Sequence, residues 1–486
     1  MTTSIRFLLN DQEMDMTVPP GLLVLDLLRH HLEKTGTKEG CKEGDCGACT
    51  VLLGELTDSG MHYRPVTSCL LPAGEIHGKH LVTVEGLNLN HLTIVQEAIV
   101  NEGATQCGFC TPAIVVSLTY GLMEKGANFD DEDVKYVLSG HLCRCTGYAS
   151  LLRAGKLIQQ KAHSLTPSAT QSENILQLIE KGILPSYFSE VPEKLKRMAS
   201  IPPGNGHLPS AKFIAGGTDI YVQEGESLPD LAVTLLNLFP EMKGIVQKGK
   251  NLHIGALTTF EEFAAHPLIQ KAIPRIKDYM LLNASLQVRN RATIGGNIVN
   301  ASPIADMVIL LLALNAELIL TETSPTQKDK PMRRIRLRNF YKGYKKLDKS
   351  PTELVKEIVF SIPEPDEQIH FEKVSKRRHL DIASVNSAIR ISLKDNIINQ
   401  IHLSMGGVAP IPLYLSQTCD YLSGKELNLS NIQEAMEIAQ TEISPISDIR
   451  GSAEYKRLLS RNLFIAHFCE LFPDQFSLKD LLNIHG

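Results

Sequence analysis

The 486-residue chain has no apolar run long enough to cross a bilayer: the longest, from Met307 to Leu314, stops at Asn315, far short of the ~20 residues that a spanning helix needs. Its first ten residues have no basic start followed by a sustained apolar stretch, so no signal peptide is expected. There is no internal repeat, no low-complexity tract and no G-x-G-x-x-G fingerprint, which argues against a Rossmann dinucleotide site. Charge is nearly balanced at −5, giving no reason to expect a nucleic acid or a membrane as partner. A cytoplasmic address follows as the expectation, and in that compartment clustered cysteines serve metals more often than disulfides. Hydrophobic content of 43% and charged content of 21% suit a globular protein. The length suggests about three domains.

Cysteine is unevenly placed. Eight of ten cysteines fall in the first 150 residues, as Cys41-x4-Cys46-x2-Cys49 with Cys69, and as Cys107-x2-Cys110 with Cys143-x-Cys145. The first spacing matches a plant-type two-iron cluster. Gly40, Gly44 and Gly47 interleave with it, allowing backbone angles that turn amide N–H groups toward sulfur. Structural zinc also suits four thiolates, but zinc ribbons usually pair C-x2-C with C-x2-C. The second block alone could hold zinc or be a redox dithiol. A neighbouring cluster site favours a second cluster between helices. Cys419 and Cys469 are isolated and read as core residues.

Around these blocks, Ser4 to Asn10 and Met14 to Val18 read as strands, Gly21 to Leu32 as a helix, and Thr50 to Leu53 and Leu81 to Val84 as further strands. That is the order of a β-grasp ferredoxin. From His91 to about Lys161 the period becomes helical: an apolar stripe at Ile94, Val95, Ala98 and Ile99, a proline start at Thr111 and Pro112, an acidic start at Asp130, and Leu151 to Gln160. Four short helices make a small bundle. Thr166 to Ser172 is polar and breaker-rich and reads as a linker, and residues 201–206 form a second irregular stretch.

Farther on, Phe213-Ile-Ala-Gly-Gly-Thr-Asp-Ile220 runs from a strand into a double-glycine turn able to form an anion nest. Thr293-Ile-Gly-Gly-Asn-Ile298 offers a second glycine turn, followed by a polar cluster ending at Asp306. Each alone reads as a hairpin turn. The basic stretch from Arg333 to Lys346 alternates Arg334, Arg336 and Arg338 with Ile335 and Leu337, so it reads as a half-exposed strand rather than an RNA site. Arg29, His30 and His31 fall at a helix end, where cations are favoured, and carry no metal assignment.

Glu39-Gly-Cys-Lys-Glu-Gly-Asp-Cys-Gly-Ala-Cys49, Gln106-Cys-Gly-Phe-Cys-Thr-Pro112 and Gly140-His-Leu-Cys-Arg-Cys-Thr-Gly-Tyr148 together resemble the cluster segments of the molybdenum hydroxylases. The two glycine segments are similar to that family's FAD segments. The resemblance implies an α+β multidomain fold: a β-grasp 2Fe-2S ferredoxin domain (1–88), a four-helix 2Fe-2S bundle domain (89–163), a linker (164–184), an α/β FAD-binding domain of vanillyl-alcohol-oxidase type (185–366) and a C-terminal α+β subdomain (367–486). It assigns Cys41, Cys46, Cys49 and Cys69 to one cluster and Cys107, Cys110, Cys143 and Cys145 to the other. It places FAD along Phe213, Ile214, Ala215, Gly216, Gly217, Thr218, Asp219, Ile220, Thr293, Gly296, Asn297 and Asp306. Lys373 reaches the flavin by the same resemblance, with Asn283 and Ile358 as further contacts. Asn283 departs from the family pattern, standing where some relatives carry an aromatic ring.

The order of two clusters followed by FAD, without a molybdopterin domain in this sequence, is that of the small subunits of split bacterial xanthine dehydrogenases. The implied partner is a molybdopterin-binding large subunit, in a heterotetramer of two small and two large subunits, with NAD+ as acceptor and Gln106 and Cys145 near the pterin edge. No residue of this chain is expected to hydroxylate substrate. The alternatives are the same role in an aldehyde or N-heterocycle hydroxylase, or an iron–sulfur and flavin redox sensor without turnover.

Overall fold

The computed structural model describes residues 2–199, 212–322, 332–377 and 379–477. The irregular stretch 201–206 lies outside them. The chain divides into two compact units: residues 1–238 with 285–292, and residues 239–284 with 293–486.

In the first unit, Thr3–Leu9 and Gln12–Val18 form an antiparallel hairpin, turned at Asn10 in the left-handed region (φ 55°) that asparagine tolerates. They belong to a five-stranded sheet ordered Gln12–Val18, Thr3–Leu9, His80–Val82, Thr50–Thr57, Gly60–Thr67. Only Thr3–Leu9 and His80–Val82 pair in parallel. The helix expected from Gly21 begins at Val24 and widens into a π-turn over Leu27–His31. Its Val24, Leu27 and Leu28 pack with Phe7, Val51 and Leu53 of the sheet. The strand Gly60–Thr67 was not expected, because Pro65 interrupts its pattern. It is tolerated there since the strand is the sheet's edge, where a missing N–H leaves one side unpaired anyway.

His80 lies fully buried in this sheet. Its Nε2–H donates to the Asn10 carbonyl (2.8 Å), and its Nδ1 lies 2.7 Å from the Tyr63 hydroxyl, which can donate to it when the ring is neutral. Burial pushes its pKa down to about 3. A depressed folded-state value means the unfolded chain takes the proton first, so stability is full above pH 6.5 and is lost as pH falls toward about 3. Urea unfolding at about pH 7.5 and about pH 4.5 should differ by roughly 2–3 kcal/mol on this account. The part due to His80 should vanish in His80→Gln; an unchanged slope in that variant refutes the assignment.

The helical region follows. Ile94–Asn101 starts with a Thr93/Gln96 capping box and Asp131–Leu138 with an Asp130/Asp133 box, each satisfying backbone donors that the first turn leaves free. Thr111–Lys125 and Ala149–Ala162 complete four helices around Leu118, Leu122, Val134 and Ile158. Residues 164–184, expected as a linker, instead hold the helix Gln171–Glu180. Its Ile175 and Leu178 are buried in that same core, and Gln171 bonds the Tyr63 backbone in both directions. The polar residues that suggested a linker are capping residues: the Thr170 hydroxyl accepts from the Glu173 N–H.

The second unit has a five-stranded antiparallel sheet and a four-stranded antiparallel sheet. In the five-stranded sheet the strand Met332–Arg336 is exposed, and its arginines meet acids: Arg333 pairs with Glu353, and Arg334 with Glu317. The half-exposed basic strand expected from the alternation through Arg338 is present but ends at Arg336, where Leu337–Asn339 turns as a single helical turn that buries Leu337. The four-stranded sheet runs Glu367–Val374, Val385–Lys394, Ile397–Gly406, Leu413–Tyr414. Its apolar residues Val385, Ile389 and Leu403 pack with Met436, Phe464 and Phe468 of the C-terminal helices. Among the described residues no helix is long and apolar enough to cross a membrane.

Candidate redox sites

The loop from Gly40 to Cys49 wraps its own sulfurs. The N–H groups of Glu43 and Cys46 point at Cys41 Sγ at 3.3 and 3.4 Å. Gly44 and Gly47 take φ of +83° and +69°, angles that L side chains seldom adopt. Gly40 gives way to sulfur directly, since a Cβ there would stand 2.6 Å from Cys46 Sγ. The four thiols are hydrogen-bonded in pairs. A hydrogen bond from Cys46 draws the Cys41 thiol down to about 5, while Cys46 is pushed up. A hydrogen bond from Cys69 lowers buried Cys49, and Cys69 is raised in turn. Sulfur atoms ringed by N–H donors are what thiolates bound to iron require, because such bonds stabilise charge on sulfur.

The second set joins two loops. Cys110 is the N-cap of Thr111–Lys125, and Cys143 lies ahead of Ala149–Ala162. Burial pushes the Cys110 thiol up to about 12. Burial opposes charge on Cys143 as well, but hydrogen bonds from Thr146 and Cys110 outweigh it and the thiol falls. Cys110 and Cys143 are buried, whereas Cys107 and Cys145 are exposed. The Gln106 side chain donates to the Cys145 carbonyl at 3.0 Å. The structure thus pairs Cys41 with Cys46, Cys49 with Cys69 and Cys110 with Cys143, and leaves Cys107 and Cys145 exposed on the flanks of the last pair.

The two groups touch through the backbone. The Leu142 N–H, one residue before Cys143, donates to the Cys46 carbonyl at 3.0 Å. A Cβ on Gly47 would lie 2.2 Å from the Gly140 carbonyl oxygen, so only glycine permits this approach. His141 is buried in the junction, with Nε2 at 2.7 Å from Ser117 Oγ and 3.2 Å from Gln287 Nε2. Burial pushes its pKa down to about 4, which keeps the ring neutral. Sequence reasoning passed over His141 and Gln287, because nothing local marks a residue whose partners lie 24 and 146 positions away.

The first glycine segment also belongs to the first unit. Lys212–Ile214 is a strand parallel to Val233–Leu235, Ala215 to Asp219 form the turn, and Ile220–Glu224 is a short helix. Gly216 and Gly217 are buried, and Gly217 has φ +77°. Asp219 Oδ2 is buried with no hydrogen-bond partner. A buried orphan acceptor is costly unless a ligand satisfies it.

The second unit holds the other expected flavin residues. The second glycine segment is a helix, Ile294–Asn300, rather than a turn. Thr293 caps it by accepting from the Gly296 N–H at 3.1 Å. Gly295 is needed because a Cβ would stand 2.6 Å from Ala256 Cβ. Asn297 Oδ1 is buried and unpartnered. Asp306 opens the apolar helix Asp306–Ala313 and accepts from Lys373 Nζ at 2.7 Å and Asn386 Nδ2 at 2.5 Å. Lys373 also donates to the Leu282 carbonyl at 2.7 Å, beside Asn283 in the chain. Ile358 is fully buried in a central strand, opposite Leu318 and Ile254. Asn386 is a further polar residue that the sequence did not single out. Outside these groups, Asp26, His30 and Glu39 bring donor atoms within 4.8 Å of one another, but Lys42 is already paired with Asp26 at 3.0 Å.

Four family models match the chain in order: a 2Fe-2S iron-sulfur cluster binding domain over residues 7–73, a [2Fe-2S] binding domain over 83–156, the FAD binding domain in molybdopterin dehydrogenase over 187–365, and the CO dehydrogenase flavoprotein C-terminal domain over 370–471. Xanthine dehydrogenase 1 of Arabidopsis thaliana is 28% identical over 93% of this chain and 38% of its own length. Aldehyde oxidase 2 of Mus musculus is 26% identical over 98% of this chain and 39% of its own. The chain thus spans well under half the length of the curated relatives it matches. A solved carbon monoxide dehydrogenase from Hydrogenophaga pseudoflava aligns at a TM-score of 0.48 and 26% identity, over 52% of this chain and 86% of that one. With the four models in series and xanthine dehydrogenases similar along nearly its whole length, the chain carries two 2Fe-2S domains and an FAD-binding domain of the molybdopterin dehydrogenase type, and it resembles the molybdenum hydroxylases.

Proposed function

We propose that this chain is the iron–sulfur and FAD subunit of a xanthine dehydrogenase, conducting electrons released by purine oxidation in a molybdopterin-binding partner to NAD+. When bound, the clusters exchange single electrons and the flavin joins them to two-electron hydride chemistry. Cys107, Cys110, Cys143 and Cys145 would hold the cluster nearer the partner, since Cys107 and Cys145 are the exposed pair. Cys41, Cys46, Cys49 and Cys69 would hold the second. Leu142 and Cys46, bonded through their backbones, keep the two ligand loops at a fixed distance. Phe213 to Ile220, Thr293, Gly296, Asn297, Asp306 and Lys373, with Asn283 and Ile358, are the flavin residues in this reading. Two heavy and two light chains in one cytoplasmic assembly complete it.

The observation that carries the reading is the pairing of Cys41 with Cys46, Cys49 with Cys69 and Cys110 with Cys143, with N–H groups aimed at Cys41 sulfur. Substrate choice belongs to the partner, so an aldehyde or N-heterocycle hydroxylase is the second reading, favoured by the aldehyde oxidase relative. The test is to isolate the native complex anaerobically and assay iron, labile sulfide, FAD and molybdenum, then NAD+ reduction with xanthine, an aldehyde and a quinoline in parallel. Turnover with xanthine alone supports the proposal. A complex that holds all cofactors but oxidises only the aldehyde or the quinoline transfers the chain to the second reading.

A further inference from the structure

We propose that Arg291 is a positioning residue for the flavin: it orients the first glycine turn by gripping the Gly216 carbonyl and anchoring it to Glu75 of the cluster-bearing ferredoxin region. The inference rests on the flavin reading above and adds a residue that lies outside both glycine segments.

The guanidinium is almost wholly buried. Its Nη1 donates to Glu75 Oε2 at 2.5 Å, and its Nη2 donates both to Glu75 Oε1 at 3.0 Å and to the Gly216 carbonyl at 2.6 Å. A planar fork matched to a carboxylate holds direction as well as charge. Glu75 sits in the short turn Ala73–Ile76, six residues beyond the cluster ligand Cys69. The backbone joins the same contact: a Cβ on Gly216 would lie 2.0 Å from the Arg291 carbonyl oxygen, and one on Gly217 would lie 3.1 Å from the Leu70 carbonyl oxygen. The glycine turn is thus seated on the segment that carries Cys69. Ile214 and Tyr221, on either side of the turn, share a core with Cys49, Cys69 and Leu70.

The consequence for a ligand follows from the geometry of one peptide. The unit between Gly216 and Gly217 is planar and trans, so a carbonyl held on Arg291 sends the Gly217 N–H in the opposite direction. Among the described residues the N–H groups of Gly217 and Thr218 meet no protein acceptor. Gly217 is buried and Thr218 half-buried, and successive N–H donors without a protein acceptor in a turn make a seat for an anionic group such as a pyrophosphate. Glu75 orients Arg291, Arg291 orients the peptide, and the peptide presents the donor.

The test uses the full chain, stripped of flavin with its iron retained, and titrated with FAD by fluorescence quenching. Arg291→Met should weaken FAD binding by about 10–100-fold, the worth of a buried charge-assisted hydrogen bond, with iron content and cluster EPR spectra unchanged. Arg291→Lys should recover part of that loss, because one ammonium can replace Nη2, the atom that touches both groups. Glu75→Asp draws the carboxylate back by one methylene and should weaken FAD without loss of iron, which decides the matter if Arg291→Met does not accumulate. Wild-type affinity in Arg291→Met, or in Glu75→Asp where the first is lacking, overturns the proposal. So does an Arg291→Lys no better than Met, or FAD loss that merely tracks iron loss, since general unfolding takes both. If the unsubstituted chain binds no FAD, the flavin reading itself fails.

Discussion

Cys110→Ala is expected to remove about half of the iron, leave FAD bound, and abolish substrate-driven reduction of NAD+ in the assembled complex. Cys110 is buried, is hydrogen-bonded to Cys143 and caps Thr111–Lys125 through its backbone alone, with no side-chain cap to lose. Alanine therefore keeps the helix start and deletes one ligand of four. The first group of cysteines shares none of these contacts, so its EPR signal should persist. Oxidation of NADH by an artificial dye, which needs only the flavin end, should continue at the unsubstituted rate. That combination separates an interrupted conduit from a collapsed protein. Full iron content in the variant, or undiminished xanthine turnover, would contradict the assignment of Cys110 as a ligand on the electron route.

The cysteine groups were readable in advance because an iron–sulfur loop is written locally. Cys41, Cys46 and Cys49, with glycines between them, carry their own N–H donors within five residues. The helix start at Asp130 was readable for the same reason, since a capping residue and its partner lie three apart, whereas the Thr93 cap went unread beside the apolar stripe that follows it. What escaped was long-range. The edge strand Gly60–Thr67 hides behind Pro65, and its position at the edge, which excuses the proline, exists only once the sheet is assembled. The second glycine segment looked like a turn because Gly-Gly is usually one. It is a helix because Thr293 caps it and because close packing on Ala256 makes glycine obligatory at 295. Arg291 has its partners at positions 75 and 216, and Asp306 has one at 386. No spacing rule connects such residues before the chain has folded.

Asp306→Ala in the second unit should destabilise the protein by about 3–5 kcal/mol, the cost of leaving a buried charge alone. Lys373 is 2% exposed and would keep only the Leu282 carbonyl. The pair as it stands is not a source of much stability. Burial pushes the Asp306 carboxyl upward, and the opposing pull of Lys373 and Asn386 does not cancel that rise. Desolvation thus exceeds what the pairing returns. Removing both charges in Asp306→Ala/Lys373→Met should accordingly recover most of the loss seen in either single variant, measured as urea midpoints in a double-mutant cycle. If the pair serves folding, the recovered double variant should also bind FAD normally. If it serves the flavin, as the family resemblance implies for both residues, the double variant should be stable and still fail to retain FAD through gel filtration. A double variant that is both stable and fully flavinated would remove Asp306 and Lys373 from the flavin site.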